Sequence, residues 1–344
     1  MATVIFRDGK KVEPYGRPYI IAEVNTSHNG DVESAFRMIT AAKTAGADCV
    51  KFQSWSEQSL YSTEWRLENR VATRMVRKLS LSPVHLKEAA DFARSEGIAF
   101  SSTPYSREEA DFLVDSCSPA FLKIASMDLV NYPFLRYVAS LGVPVVLSSG
   151  MADISEIELA VNEFLGVGHE QLCLLHCVSI YPCVPGLLNL RNVTGLQRLF
   201  PTVPVGFSDH SLGVVASIGA VSLGAAIIEK HLTLDSSKIG MDNQMATEPD
   251  EFAELVRNCH LVGDALGAEE RVVGDEEMGQ RLRMRRSIVA TRDLYAGAIV
   301  CADDLDVKRP GTGLPPVVLP ELVGKVLRCD VREGMLLKRT DLIE

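Results

Sequence analysis

The stretch PVGFSDHSLGVVASIGAVSLGAAIIEKHL, residues 204–232, holds two apolar runs of strand type on either side of a helix-like segment, Leu212–Leu223. The runs are Pro204–Ser208 and Ala225–Glu229, and each leads into a polar cluster with a histidine: Ser208, Asp209 and His210, then Glu229, Lys230 and His231. A single crossover helix between two such runs makes them neighbours in a parallel sheet. Either histidine alone would read as a polar residue that ends a strand. Two imidazoles at adjacent strand ends are natural partners for one divalent ion.

The same alternation extends back along the chain. Apolar runs rich in Val, Ile, Leu and Phe recur at Tyr19–Val24, Cys49–Gln53, Ala99–Thr103, Phe121–Ser126, Pro144–Ser149 and Leu172–Cys177, as strands buried on both faces should read. Helical segments separate them. Asp31–Ala45 ends at Gly46. Ser82 caps Pro83–Glu96, with Pro at the first helical position and Gly97 as the stop. Ser106–Cys117, Pro133–Leu141, Ile154–Leu165 and Arg191–Leu199 follow, and Glu248–Leu266 closes the set. Eight strands alternating with helices predict a (β/α)8 TIM barrel. An open doubly wound sheet is the competitor, but no glycine-rich phosphate fingerprint follows the first strand.

Three segments stand outside the repeat. Residues 3–18 read as a hairpin around Asp8-Gly9, placed to plug one end of the barrel. Ser54–Leu79, with Trp55, Tyr61 and Trp65, is long for a strand-to-helix connection and reads as a lid or an oligomer contact. Residues 268–285 turn strongly charged and read as a linker between a catalytic domain, residues 1–267, and a β-rich module, residues 286–344. A module of about 60 residues is marginal alone and is expected to dock on something larger.

Composition narrows the function. A net charge of −10 argues against nucleic acid as a partner, though not against a small anion met by a few placed cations. No apolar run reaches membrane-spanning length and the start, MATVIFRDGKKVEP, is not a signal peptide, so the expected location is the cytoplasm. The eight cysteines include no CxxC pair and are expected to be reduced structural thiols.

In a barrel of this kind catalytic residues stand at the C-terminal ends of the strands. The ends offer three chemical sets. Lys51, Lys123, Ser126, Ser148 and Ser208 are cations and hydroxyl donors suited to a phosphate or carboxylate. Each serine alone could simply end a strand, but lysines within DCVKFQ and FLKIAS would be costly to bury without an anion. His210 and His231 form a metal set, with water or a carboxylate such as Glu23 completing the shell. Glu23, Gln53, Tyr181 and Asp242 supply acid–base and hydroxyl-binding groups for a polyol. Glu229 also stands at the last strand end, where the alternative to a site role is a pair with Lys230 or with a helix start. His28, His85, His169 and His260 read as structural or surface residues, and His176 is ambiguous.

These residues lie in a set of motifs: IAEVNTSHNGD at 21–31, AAKTAGADCVKFQ at 41–53, LKIASMD at 122–128, LSSGM at 147–151, LHCVSIYP at 175–182, GFSDHS at 206–211 and EKHLTLD at 229–235. RRSIVA at 285–290 and VKRPGTGLPP at 307–316 follow in the tail. With them the chain resembles, over its whole length, the sialic acid synthases, which make nonulosonic acids from phosphoenolpyruvate and an amino sugar such as N-acetylmannosamine. The tail resembles the family's antifreeze-like (SAF) domain.

The resemblance implies a divalent metal, Mn²⁺ foremost with Mg²⁺ or Co²⁺ as substitutes, on His210 and His231. It implies phosphoenolpyruvate on Lys51, Lys123, Ser126, Ser148, Ser179 and Ser208. It implies the sugar on Glu23, Gln53, Tyr181 and Asp242, with Asp128 as a further sugar-facing carboxylate at the catalytic centre. It also implies a domain-swapped homodimer in which Arg309 of the tail reaches the sugar. Two positions depart from the family: Ser179 stands where Asn is usual and Asp128 where Glu is common, and the loop 238–249 also differs, which bears on the identity of the sugar. Alternatives are a synthase of legionaminate or pseudaminate type, one using a phosphorylated aldose as the Kdo-8-phosphate enzymes do, a class II aldolase, and a non-catalytic binding protein.

Overall fold

The computed structural model of the chain describes residues 2–343, in two compact units, Met1–Gly267 and Ala268–Glu344. The first is a closed barrel of eight parallel strands. In chain order these are β1 (Tyr19–Glu23), β2 (Cys49–Ser54), β3 (Ala99–Pro104), β4 (Leu122–Ile124), β5 (Val145–Ser148), β6 (Leu172–Cys177), β7 (Val205–Asp209) and β8 (Ile227–His231). Each pairs with the next, and β8 closes on β1 with His231 opposite Glu23.

Side chains of a strand alternate between faces, and this alternation positions the site. In β1, Ile20, Ala22 and Val24 pack outward against the helices, while Tyr19 and Ile21 point into the barrel. The lower inward layers are apolar, built from residues such as Phe121, Val146, Cys173 and Leu175. Toward the C-terminal ends the same inward rows turn polar: Glu23, Lys51, Lys123, Ser148, Ser208 and Glu229. Gly206, on the inward row of β7, has the Ile227 carbonyl oxygen 2.6 Å and Leu175 Cδ2 2.7 Å from where a Cβ would sit, so no larger residue fits that row.

Helices α1 (Val32–Thr44), α2 (Pro83–Glu96), α3 (Arg107–Phe112), α4 (Tyr132–Ser140), α5 (Ile154–Leu165), α6 (Asn192–Leu199), α7 (Val215–Ser222) and α8 (Pro249–Leu266) cover the barrel. Their ends follow local chemistry. Asp31 caps α1 through the Ser34 N–H at 2.9 Å, and Gly97 ends α2 with φ +70°. The segment expected as one helix, Ser106–Cys117, is α3 followed by a π-turn, Leu113–Cys117. β4 is shorter than its apolar run, and Ser126–Asp128 form a 3₁₀ turn beyond it.

The hairpin seals the N-terminal end of the barrel. Val4 and Val12 pair across it, and Phe6 lies edge-on to Tyr19 at 4.9 Å and against Phe121 at 4.6 Å. The long segment after β2 is three short helices, Glu57–Leu60, Thr63–Glu68 and Arg70–Leu79, with Tyr61 stacked on Trp65 at 3.8 Å.

The second unit begins with a helix, Asp275–Met284, inside the stretch read from sequence as a linker. Its first turn is acidic (Asp275, Glu276, Glu277) and its last basic (Arg281, Arg283), which complements the helix dipole and explains helix formation without a buried face. Two short antiparallel ladders, Ser287–Ala290 with Leu305–Lys308 and Val326–Leu327 with Leu342–Ile343, enclose a core of Ile288, Leu294, Val300, Leu322 and Leu337.

His28, in the loop after β1, is buried and accepts the Gly30 N–H on Nδ1 at 3.0 Å. Burial pushes its pKa down to about 4, against the ordinary 6.5. The folded chain therefore keeps this ring neutral where the unfolded chain protonates it. Its stabilising effect is complete above pH 6.5 and is lost as the pH falls toward 4, at a cost of up to about 3 kcal/mol. Urea midpoints measured from pH 7.5 to 4.5 should fall less steeply for His28→Gln than for the wild type; parallel slopes would refute this assignment.

Candidate active site

The polar inward layer lines a cavity of about 330 Å³ at the C-terminal end of the barrel. Four buried charges form its floor. Lys51 is ion-paired with Glu23 Oε2 and lies 3.8 Å from Glu229 Oε2, while Lys123 lies 3.8 Å from Glu229 Oε1 and donates to Ser148 Oγ at 2.7 Å. Ser208 Oγ donates to Glu229 Oε1 at 3.2 Å, and Lys51 reaches Thr103 Oγ1 at 3.3 Å.

The environment splits the four groups. Burial raises the Glu23 carboxyl above its usual range despite Lys51, which makes it the stronger base. For Glu229 the cost of burial is outweighed by Lys123, Lys51 and His210, so it stays ionised. Burial lowers Lys51, but Glu229 and Glu23 outweigh it and hold the ammonium above its ordinary range. Lys123 falls below its range because burial exceeds the pull of Glu229.

His210 and His231 face each other across the rim with ring centres 5.6 Å apart. His210 Nδ1–H donates to the Val178 carbonyl at 2.8 Å, so Nε2 is the nitrogen that offers a lone pair once the ring is neutral. Burial lowers the pKa of this ring, but the Cys177 sulfur beside it outweighs burial and holds it above the ordinary imidazole value. Burial, then His210 and Lys51, hold His231 well below the usual imidazole range, so it is a neutral base. Imidazoles bound to one ion at about 2.1 Å per Nε2 bring their ring centres to roughly 5 Å, and the pair fits that demand. Among the described residues no group of three or more His, Cys, Asp or Glu side chains could hold a metal. Of the two completions read from the sequence, water and a carboxylate such as Glu23, the arrangement favours water. The Glu23 oxygens are engaged by Lys51, Gln53 Nε2 at 3.0 Å and the Asn25 N–H at 3.1 Å. Further ligands would come from water or substrate.

The mouth carries the remaining polar groups. Tyr181 lies with its ring 4.2 Å from that of His210. Asp242 accepts from Asn25 Nδ2, and burial raises its carboxyl above the usual range. Gln53 Oε1 accepts from the Tyr105 hydroxyl at 3.0 Å, and Tyr105 stacks on Trp55. Ser126 Oγ accepts from the Gly150 N–H at 3.0 Å. Ser179 Oγ and Ser126 Oγ crowd the place where a Cβ on Gly150 would sit, which accounts for glycine in LSSGM.

Of the residues picked out from sequence, Glu23, Lys51, Gln53, Lys123, Ser126, Ser148, Ser179, Tyr181, Ser208, His210, His231 and Asp242 all line this one cavity. Asp128 does not: the 3₁₀ turn carries it off the lining, and its Oδ1 accepts from Asn131 Nδ2 at 3.1 Å. Arg309 lies exposed in the second unit. Glu229 lines the cavity, and the alternative of a pair with Lys230 does not hold. Lys230 points outward to Asp209 at 3.0 Å. Counting back by two from His231 finds Glu229 on the inward row. His176 points outward as well, bonded to the Leu188 carbonyl at 2.7 Å and stacked on Phe207.

The NeuB family model matches residues 38–271, and the SAF domain model matches residues 285–343. The chain belongs to the NeuB family. It is 36% identical to the N,N'-diacetyllegionaminic acid synthase of Legionella pneumophila, covering 93% of each chain. It is likewise 36% identical to the human N-acetylneuraminate-9-phosphate synthase, over 92% of this chain and 90% of that one. A crystal structure of N-acetylneuraminic acid synthetase from Leptospira borgpetersenii aligns with a TM-score of 0.75 at 32% identity, over 81% of this chain and 96% of that one. NeuB relatives thus include synthases of sialic, legionaminic and pseudaminic acids.

Glu229→Gln removes the negative charge that lies 3.8 Å from each lysine, leaving one carboxylate against two ammonium groups. Inorganic phosphate should then bind about tenfold more tightly, since a unit charge at about 4 Å is worth about 4 kcal/mol at an effective dielectric of about 20, more than the roughly 1.4 kcal/mol of a tenfold change. Calorimetry with phosphate reads this directly, and equal or weaker binding would show that the lysines are not the anion site.

Proposed function

We propose that the chain is a nonulosonic acid synthase that joins phosphoenolpyruvate to an open-chain amino sugar and releases inorganic phosphate by C–O cleavage. The observation that carries the proposal is two buried lysines, ringed by serine hydroxyls, beneath two histidines on the rim of one cavity. Phosphoenolpyruvate is a small trianion, and Lys51 and Lys123 with Ser126, Ser148, Ser179 and Ser208 match its phosphate and carboxylate.

The lysines and serines hold phosphoenolpyruvate with C3 turned toward the mouth. Gln53, Tyr181 and Asp242 hold the sugar so that its aldehyde carbon meets C3. Bond formation between them leaves positive charge at C2, which the Glu23 and Glu229 carboxylates stabilise from the floor. Water adds at C2, and Glu23, whose basicity burial has raised, takes its proton. The C2–O bond to phosphate then breaks, leaving the 2-keto acid and free phosphate. The aldehyde oxygen takes up the proton that Glu23 removed from water and ends as a hydroxyl, and the remaining C2 hydroxyl proton leaves with the departing phosphate as the keto group forms. His210 and His231 would hold a divalent ion, Mn²⁺ foremost, which when bound supplies Lewis acidity toward the sugar carbonyl. Much of the rate gain on this scheme is positional.

Among the described residues no Lys or Arg lines the cavity apart from Lys51 and Lys123, and both are committed to phosphoenolpyruvate. The barrel therefore favours an unphosphorylated amino sugar such as N-acetylmannosamine or a diacetamido analogue over a sugar phosphate. A domain-swapped homodimer in which Arg309 meets the sugar belongs to the same proposal. So does a cytoplasmic location, which suits eight free cysteines. Among the described residues no helix is long and apolar enough to cross a membrane.

Phosphate release from phosphoenolpyruvate, measured with Mn²⁺ against a panel of amino sugars and their phosphates, tests this reading. Turnover should require an amino sugar and be lost in His231→Ala with an unchanged circular dichroism spectrum. Full activity after chelation would overturn the metal assignment. Removal of residues 286–344 should raise the sugar KM at least tenfold and leave the barrel folded, and an unchanged KM would count against Arg309.

A further inference from the structure

On the outer side of the sheet, turned away from the cavity, Asp209 and Lys230 stand in register across β7 and β8. Both are fully buried, at 0% and 1% exposure, and neither lines the cavity. Lys230 Nζ donates to Asp209 Oδ2 at 3.0 Å and to the Ser211 carbonyl at 2.7 Å. Asp209 gathers three more donors: the Ser211 N–H at 2.8 Å, Ser211 Oγ at 2.6 Å and Ser217 Oγ at 2.6 Å. Each member of the pair is the chain neighbour of a rim histidine, since His210 follows Asp209 and His231 follows Lys230. His210 thus sits inside a closed ring of bonds: the Asp209 side chain holds residue 211 by its N–H, and Lys230 holds the same residue by its carbonyl. The Cys183 N–H, 2.8 Å from the His210 carbonyl, pins the residue itself.

A buried ion pair is a poor source of stability compared with apolar residues of the same volume, so packing alone does not explain charge here. A directional link between two strand ends does. We propose that Asp209 and Lys230 are positioning residues, a charged clasp behind the sheet that fixes the spacing of His210 and His231 and so sets the affinity for a divalent ion. The inference rests on the reading of those histidines as metal ligands. Supports one shell removed from metal ligands typically govern affinity by 10- to 100-fold.

The test is Mn²⁺ binding to the full chain stripped of metal, followed by electron paramagnetic resonance. Asp209→Asn/Lys230→Met removes both charges together, so neither is left buried and unpaired. Its Mn²⁺ dissociation constant should rise 10- to 100-fold with the circular dichroism spectrum retained. The Mn²⁺ concentration for half-maximal turnover should rise in parallel, more than kcat at saturating Mn²⁺ falls. Ser217→Ala, which deletes one donor and keeps the pair, should raise the constant a few-fold, and it decides the matter if the double variant does not fold. Wild-type Mn²⁺ affinity in the folded double variant, or in Ser217→Ala where only that variant folds, overturns the clasp. A wild-type chain that binds no Mn²⁺ removes the metal site, and the clasp falls with it.

Discussion

Four charged side chains with almost no access to water, Lys51, Glu23, Glu229 and Lys123, govern this structure. Each would be costly to bury alone, and each is tolerable only because its neighbours carry the opposite sign. The barrel supplies the arrangement that makes this work. Inward rows from strands distant in sequence converge at one level, so charges from β1, β2, β4 and β8 compensate one another without sharing a loop. The compensation is loose: Glu229 lies 3.8 Å from both lysines and hydrogen-bonds to neither, and its Oε2 has no hydrogen-bond partner. Such a lattice holds the ammonium groups in place without saturating their hydrogen-bonding capacity with carboxylates.

The sequence reveals the barrel and most of the cavity for one reason: buried strands leave short apolar runs, and a lysine inside such a run is conspicuous. Lys51 and Lys123 lie buried in the cavity as that cost implies, and the anions beside them are Glu23 and Glu229. The ambiguity at Glu229 has an equally simple origin. The last strand was placed two residues early, at Ala225–Glu229 instead of Ile227–His231, which made Glu229 a terminus and hid its parity with His231. Asp128 was lost to a local turn, since nothing in LKIASMD shows that the strand stops at Ile124 and that a 3₁₀ turn follows. The extra residue of the π-turn at Leu113–Cys117 is equally invisible to a periodicity of 3.6. The helix at Asp275–Met284 is legible in the acidic and basic ends of that stretch, but a run of charge without apolar spacing reads as a linker.

The departures from the family pattern now have a physical setting. Ser179 Oγ and Ser126 Oγ both reach the place where Gly150 lacks a side chain, so this departure from the family sits beside a glycine that has no room for a Cβ. Differences here and at the mouth are compatible with an unchanged floor. A family whose members make several related acids would be expected to vary in this way, with the anion site held constant and the rim adapted to each sugar.

The hairpin packed beneath the barrel, with Phe6 against Tyr19 and Phe121, makes the cavity a cul-de-sac. Traffic in and out shares a single doorway. Lys51 and Lys123 are 2% and 3% exposed, whereas Tyr181 at the opening is 47% exposed, so whatever the lysines hold lies behind whatever the tyrosine holds. An inner occupant has to enter before an outer one. The depth order of the pocket is thus set by the hairpin beneath it, from residues that line none of it.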